Sequence, residues 1–235
     1  MTWPFKTVDV SRRTALRRLL ASGASLAIPL GLPGCAFDSA KFRFRFSVSV
    51  RTPQGIVSGS SVLEDLASRF PSVGGPGISM TLRGEAVAIK LPSGTYLFAT
   101  ISSDLASLVP HLFLDHLIDD RSTVEGFRKL GGADGPKGER DLNPDQYPRL
   151  VSCFNLIDPD SVAVLDPGSL ADAYGAGVFL DRMFVELTSD PVSRGIRAIL
   201  PWLPTDRDQP INKPSQRQLG GYDTRLFSHD FSTGM

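Results

Sequence analysis

The chain has 235 residues, is 41% hydrophobic, and carries 25 basic and 25 acidic residues. That length and apolar share suit one domain or two small ones with a sizeable core, and exclude the fibrous and wholly disordered classes. The zero net charge is uneven: residues 1–35 hold Lys6, Arg12, Arg13, Arg17 and Arg18 against Asp9, which leaves 20 basic and 24 acidic residues, a formal −4, in the remainder. A mildly acidic body with no basic stripe argues against nucleic acid as a partner.

From the N-terminus, residues Ser11 to Cys35 have the order of parts of an export signal. A basic region with Arg12, Arg13, Arg17 and Arg18 leads into 16 uncharged residues, Leu19 to Gly34, short for a spanning helix of about 20 residues and suited to a signal core. An ordinary amphipathic helix fits poorly, because Gly23, Pro29, Gly31 and Pro33 interrupt it and no polar face follows Arg18. Ser11-Arg12-Arg13-Thr14-Ala15-Leu16-Arg17 resembles the twin-arginine motif, with Ala15 where an aromatic residue is usual, so twin-arginine and general secretory export both stay open. Leu32-Pro33-Gly34-Cys35 resembles the bacterial lipobox, Pro33 departing from its pattern. That resemblance implies cleavage before Cys35, acylation of its thiol and a periplasmic-side membrane anchor; at about 0.8 kcal/mol per buried CH₂, more than one chain makes the anchor secure. A plain secretory signal or an uncleaved anchor is the alternative.

Ala36 to Ala40 is a short tether, and residues 36–204 read as a single α+β domain. Phe42, Phe44, Phe46, Val48 and Val50 alternate with Arg43, Arg45, Ser47, Ser49 and Arg51, the period of two of a strand with one face on a core. Strand-like runs follow at about Ile56 to Leu66, Ile78 to Leu91 and Thr95 to Ile101, with short Gly/Pro connections that favour an antiparallel meander. Leu105, Leu108, Val109, Leu112, Phe113 and Leu117 predict a helix over Ser103 to Asp119 that covers the Phe42–Phe46 face, kinked or broken at Pro110. Ser122 to Glu125 has capping-box spacing, which predicts a helix over Thr123 to Lys129 inside an otherwise irregular Asp119–Pro148 connection. Further strands are expected at Leu150 to Leu156, Ser161 to Leu165 and Val178 to Thr188, the last with Phe179, Asp181, Met183, Val185 and Leu187 on one face. Short helices are expected at Ser169 to Tyr174 and Val192 to Leu200. Residues 205–235 are polar and read as a tie or a free tail.

Chemistry is sparse. His111 and His116 stand five apart, which on a helix points them to different sides and fails as a metal site. Asp115 and Asp119 share a helix face without a dipole or catalytic rationale. Cys153 alternates with Val151 on an apolar face and reads as a buried, inert thiol. The glycine clusters carry no phosphate-loop spacing, no Gly-x-Ser-x-Gly elbow exists, and Ser58 to Ser61 reads as a strand edge with a bulge at Gly59. Neither a cofactor nor a metal is expected. The candidate binding residues are Arg182 and Glu186, on one strand face, and Trp202 between Pro201 and Pro204; each also fits a structural role.

The blocks Phe42 to Val50, Thr52-Pro53-Gln54-Gly55, Ser58-Gly59-Ser60-Ser61, Arg83 to Ala88, Asp190-Pro191-Val192, Gly195-Ile196 and Leu200-Pro201-Trp202-Leu203 resemble an uncharacterised group of proteobacterial proteins, several with lipoprotein-like signals. The resemblance implies an envelope location and a shared fold, and no activity. The expected function is a non-enzymatic binding or scaffolding lipoprotein with an envelope protein partner. A hydrolase-like envelope enzyme and an immunity or inhibitor protein are the alternatives.

Overall fold

The computed structural model describes residues 38–73, 75, 77–114, 123–204, 210–211, 218–219, 222–223 and 225–234. The signal residues Arg12, Arg13, Leu32, Gly34 and Cys35, and the residues Asp115, His116 and Asp119, lie outside them.

The phenylalanine alternation forms β1 (Ser39–Thr52), with Phe42, Phe44, Phe46, Val48 and Val50 all buried. Burial of each contributes about 1.5–3 kcal/mol. A tight turn at Pro53 and Gln54 leads to β2 (Gly55–Phe70), paired with β1 without a register shift from Thr52 opposite Gly55 to Ser39 opposite Ser68. Then follow β3 (Gly77–Glu85), β4 (Val87–Lys90), β5 (Tyr96–Ala99), α1 (Ser103–Phe113), α2 (Val124–Gly131), β6 (Glu139–Asp141), β7 (Leu150–Cys153), β8 (Val162–Leu165), α3 (Leu170–Tyr174), β9 (Phe179–Leu187), α4 (Ile196–Ile199), the small pair β10 (Gln218–Leu219) and β11 (Tyr222–Asp223), and β12 (Ser232–Thr233). The result is an α+β fold with largely antiparallel, meander-like sheets. One has six strands in the order β12-β3-β2-β1-β9-β6 and another four in the order β4-β5-β7-β8.

The inner face of the six-stranded sheet meets one face of the four-stranded sheet and helices α1 and α2 in the main core. The other face of the smaller sheet, with Phe98, Val151 and Val162, packs on Ile196, Leu200, Leu203, Leu226 and Phe231 in a second core. The C-terminal residues are therefore a tie: Phe231 meets Phe98 edge to face at 6.0 Å, and Ser232 and Thr233 pair with Glu85 and Gly84.

Several expectations shift, each for a local reason. The Ile78–Leu91 run breaks at Ala86 into β3 and β4, which serve different sheets. Gly84 makes the departure with a φ of +139°, a region that L side chains avoid, and a Cβ there would stand 2.4 Å from Leu63. Gly59 sits in a continuous register and forms no bulge; β4 approaches so closely that a Cβ at Gly59 would stand 2.6 Å from the Ala88 carbonyl oxygen. Helix α1 runs unbroken through the buried Pro110 and ends at Phe113, because one missing donor in the last turn is compatible with a helix held by Leu105, Val109 and Phe113 in the core. The helix on Phe42 is α2, whose Phe127 meets that ring edge to face at 4.9 Å; α1 packs beside α2. Thr123, one residue later than the predicted cap, accepts the Gly126 amide at 3.0 Å.

In β9 a register shift opposite Ser49 and Val50 leaves Asp181 with no residue opposite it in the ladder, its side chain pairing with Arg51 at 2.7 Å, so Arg182 faces Ser49 while Leu180 faces Val50. Met183 and Val185 reach the core with Val178 and Leu180, and Phe179 turns out to solvent. The strand is apolar on both sides because its two halves present opposite parities to one core.

Candidate functional site

The outer face of the six-stranded sheet gathers two of the three predicted binding residues. β9 places Arg182, Phe184 and Glu186 in line along it. β1 adds Arg45, Ser47 and Ser49, and β2 adds Ser58 and Ser60. The four serines form a low strip, with Ser49 and Ser58 hydroxyls 2.8 Å apart. The longer side chains of Arg45, Glu139, Phe184 and Glu186 border it and, with the serines, line a shallow groove of about 300 Å³.

The charges on this face are paired. Arg45 donates to Glu186 at 2.7 Å and also pairs with Asp190. Arg182 pairs with Glu139 at 2.8 Å and with Asp141, and its guanidinium lies 4.1 Å from the centre of the Phe184 ring. The hydrogen bonds that Arg182 donates to Asp141 and then to Glu139 hold its guanidinium above its ordinary value. Ser47 and Ser49 are buried and Ser58 and Ser60 exposed, so the face can recognise a partner through one half-buried aromatic ring, the hydroxyls of Ser58 and Ser60 and an ordered set of charges. A proton-transfer group free of partners is not part of it.

A larger cleft, about 600 Å³, opens at the start of β1 between the turn after α2 and the end of β9, and is lined by Lys41, Arg43, Glu64 and Lys137 among others. Glu64 is buried and pairs with Lys41 at 3.0 Å, Arg43 at 2.8 Å and Arg83 at 3.8 Å. Burial pushes its carboxyl up, but the hydrogen bonds and charges of Lys41 and Arg43 outweigh that and hold it below the usual range. Glu64 is thus an ionised anchor for three cations.

Its neighbour Asp65 is the opposite case. It points to the core side, across from Phe42 and Leu82, is fully buried, and neither carboxylate oxygen has a hydrogen-bond partner. Burial pushes this carboxyl up to about 6, against a smaller opposing effect of the Leu66 backbone.

The remaining candidates stand apart. The Trp202 indole N–H donates to the Leu156 carbonyl at 2.8 Å and the ring closes the second core. Cys153 is a free, buried thiol that burial raises above its ordinary value, 3.4 Å from the Asn155 carbonyl oxygen. His111 lies on the surface of α1 with Nδ1 2.8 Å from the Ser107 carbonyl oxygen. Among the described residues no group of three or more His, Cys, Asp or Glu side chains is placed to hold a metal ion, and no helix is long and apolar enough to cross a membrane.

Sequence reasoning named Arg182 and Glu186 and missed Phe184, Arg45 and the serines. The signal for the serines was present in Ser47-x-Ser49 and Ser58-x-Ser60, two period-two pairs on adjacent strands. No protein-family model, curated protein or solved structure matches the chain.

Proposed function

We propose that the protein is a bacterial envelope lipoprotein, anchored through acyl chains on Cys35, and that its folded part is a non-enzymatic binding module. The outer sheet face is the surface it offers to an envelope protein partner. The observation that carries this reading is the pairing of the charges on that face: Arg45 with Glu186 and Asp190, and Arg182 with Glu139 and Asp141. Catalytic carboxylates and bases are poised by unequal environments, whereas mutually satisfied charges around an aromatic ring fix the register of a docked surface.

A photo-crosslinking side chain at Ser60 tests it in cells expressing the full chain. One discrete adduct with an envelope protein is expected at Ser60, lost on Phe184→Asp, with none at Ser93 in the distant β4–β5 turn. Absence of an adduct at Ser60, or equal adducts at both positions, contradicts the assignment.

A further inference from the structure

The six-stranded sheet ends on β12, but β12 covers only a short part of that edge. Ser232 and Thr233 pair with Glu85 and Gly84, and from Gly77 to Arg83 the same edge of β3 has no neighbouring strand among the described residues. No backbone hydrogen bond reaches it there from any described residue, so alternate residues turn an unpaired N–H and C=O outward. Open edges are commonly blunted by a lysine, a proline, a bulge or a charge that points inward. Ile78-Ser79-Met80-Thr81-Leu82 has none of these, and β3 pairs with β2 in unbroken register from Glu64 opposite Arg83 to Phe70 opposite Gly77.

What completes such an edge is another extended strand, whose backbone offers donors and acceptors at the matching spacing. This segment is complementary to itself. Because β12 takes over at Gly84, the free length runs from Gly77 to Arg83 and its midpoint is Met80. Two copies laid antiparallel about a twofold axis at Met80 fill that length in both, with Ile78 opposite Leu82, Met80 opposite Met80 and Ser79 opposite Thr81. One face then gathers Ile78, Met80 and Leu82 from each copy. Ile78 and Met80 are 38% and 43% exposed, and Leu82 already packs against the main core, so the contact continues that core across the axis. The other face sets hydroxyl against hydroxyl. Arg83, the only charge in the segment, falls opposite Gly77, and no like charges meet at the join.

We propose that the protein forms a homodimer through β3, a second copy adding its own β3 antiparallel about Met80 so that the two six-stranded sheets run on as one. The interface is isologous and closes on itself, which removes the open edge of both copies. It uses none of the groove residues Arg45, Phe184 and Glu186, and so stands independently of the binding role proposed for the outer face.

Cysteine cross-linking in the full chain tests it, with Cys35→Ser in every variant so that the outcome does not depend on that thiol; Cys153 is buried and stays in place. Residues directly opposite in an antiparallel pair stand about 5 Å apart at Cα, within the roughly 7 Å that a disulfide spans, and in this register Met80 alone meets its own copy. Met80→Cys should therefore give a disulfide-linked dimer under mild oxidation, seen at twice the monomer mass on a non-reducing gel. Ile78→Cys, an exposed position on the same face, should stay monomeric, since its copy lies four residues along the strand, about 13 Å away at 3.3 Å per residue. Both side chains are part-exposed, and circular dichroism checks that both variants keep the fold. A folded Met80→Cys chain that stays monomeric overturns the proposal, as do equal dimers from Met80→Cys and Ile78→Cys, the mark of parallel pairing or of unspecific association.

Discussion

Phe44→Asp should give a chain with no cooperative unfolding transition, whereas Arg45→Gln, one residue on, should fold and lose less than about 1 kcal/mol. Phe44 is fully buried opposite Leu63 and Leu187 and beside Phe42, with ring centres 5.9 Å apart. Truncating a buried phenylalanine costs about 3–5 kcal/mol, and an unpartnered carboxylate in its place adds several more. Together these match the whole stability of an ordinary domain, about 5–15 kcal/mol. Arg45 lies on the outer face, where its loss removes two part-exposed ion pairs. Urea titration followed by circular dichroism decides it, and equal losses in the two variants would sink the register.

Asp65→Asn should stabilise the protein by roughly 2–3 kcal/mol at pH 7.5, with the gain fading to nearly nothing at pH 4. The residues on its face, Phe42 of β1, Leu82 of β3, and Leu63 and Ala67 of β2, are all apolar. Burial raises the folded carboxyl from an ordinary 3.8 to about 6, so the folded state holds the proton more tightly than the unfolded chain. Stability is then full below pH 3.8, falls as pH rises through 6, and stays lower above it by about 3 kcal/mol at 1.36 kcal/mol per unit. The amide has nearly the same shape and no charge to desolvate. Urea midpoints of both proteins from pH 4 to pH 8 measure the difference; curves that run parallel across that range would mean that Asp65 is not buried as an acid.

Where local pattern and tertiary environment agree, the chain was legible. The strict alternation of β1 and the short turn at Pro53 and Gln54 specify a hairpin whichever elements cover it, and the structure has that hairpin. What could not be read was which elements meet. The Ile78–Leu91 run looks continuous, and only the demand of two sheets for Gly84 and Ala86 divides it. The β9 shift at Asp181 is invisible to a period-two template, which puts Phe179 on the face of Met183 and Val185 and Leu180 on the other, partly apolar face, whereas in the fold Leu180 joins Met183 and Val185 at the core and Phe179 is exposed. Asp65 interrupts nothing at the level of polarity, since Glu64 beside it is equally acidic. Only the pairing with Phe42 sends one acid inward and the other to three cations. On the outer face Arg182 and Glu186 were visible because they are charged and share a parity, while Arg45 and the serines join them through cross-strand register, which a single sequence does not state.

The anchoring of the domain at Cys35 is tested most directly by the intact mass of the protein extracted from bacterial membranes. An envelope lipoprotein gives a product that begins at Cys35 and carries the added mass of its acyl chains. Cys35→Ser should remove the acyl mass and release the chain from the membrane fraction, and Pro33→Ala should leave processing intact or improve it. A mature chain cleaved at another position, or one that still carries Met1 and stays in the cytosol, would contradict the lipoprotein assignment.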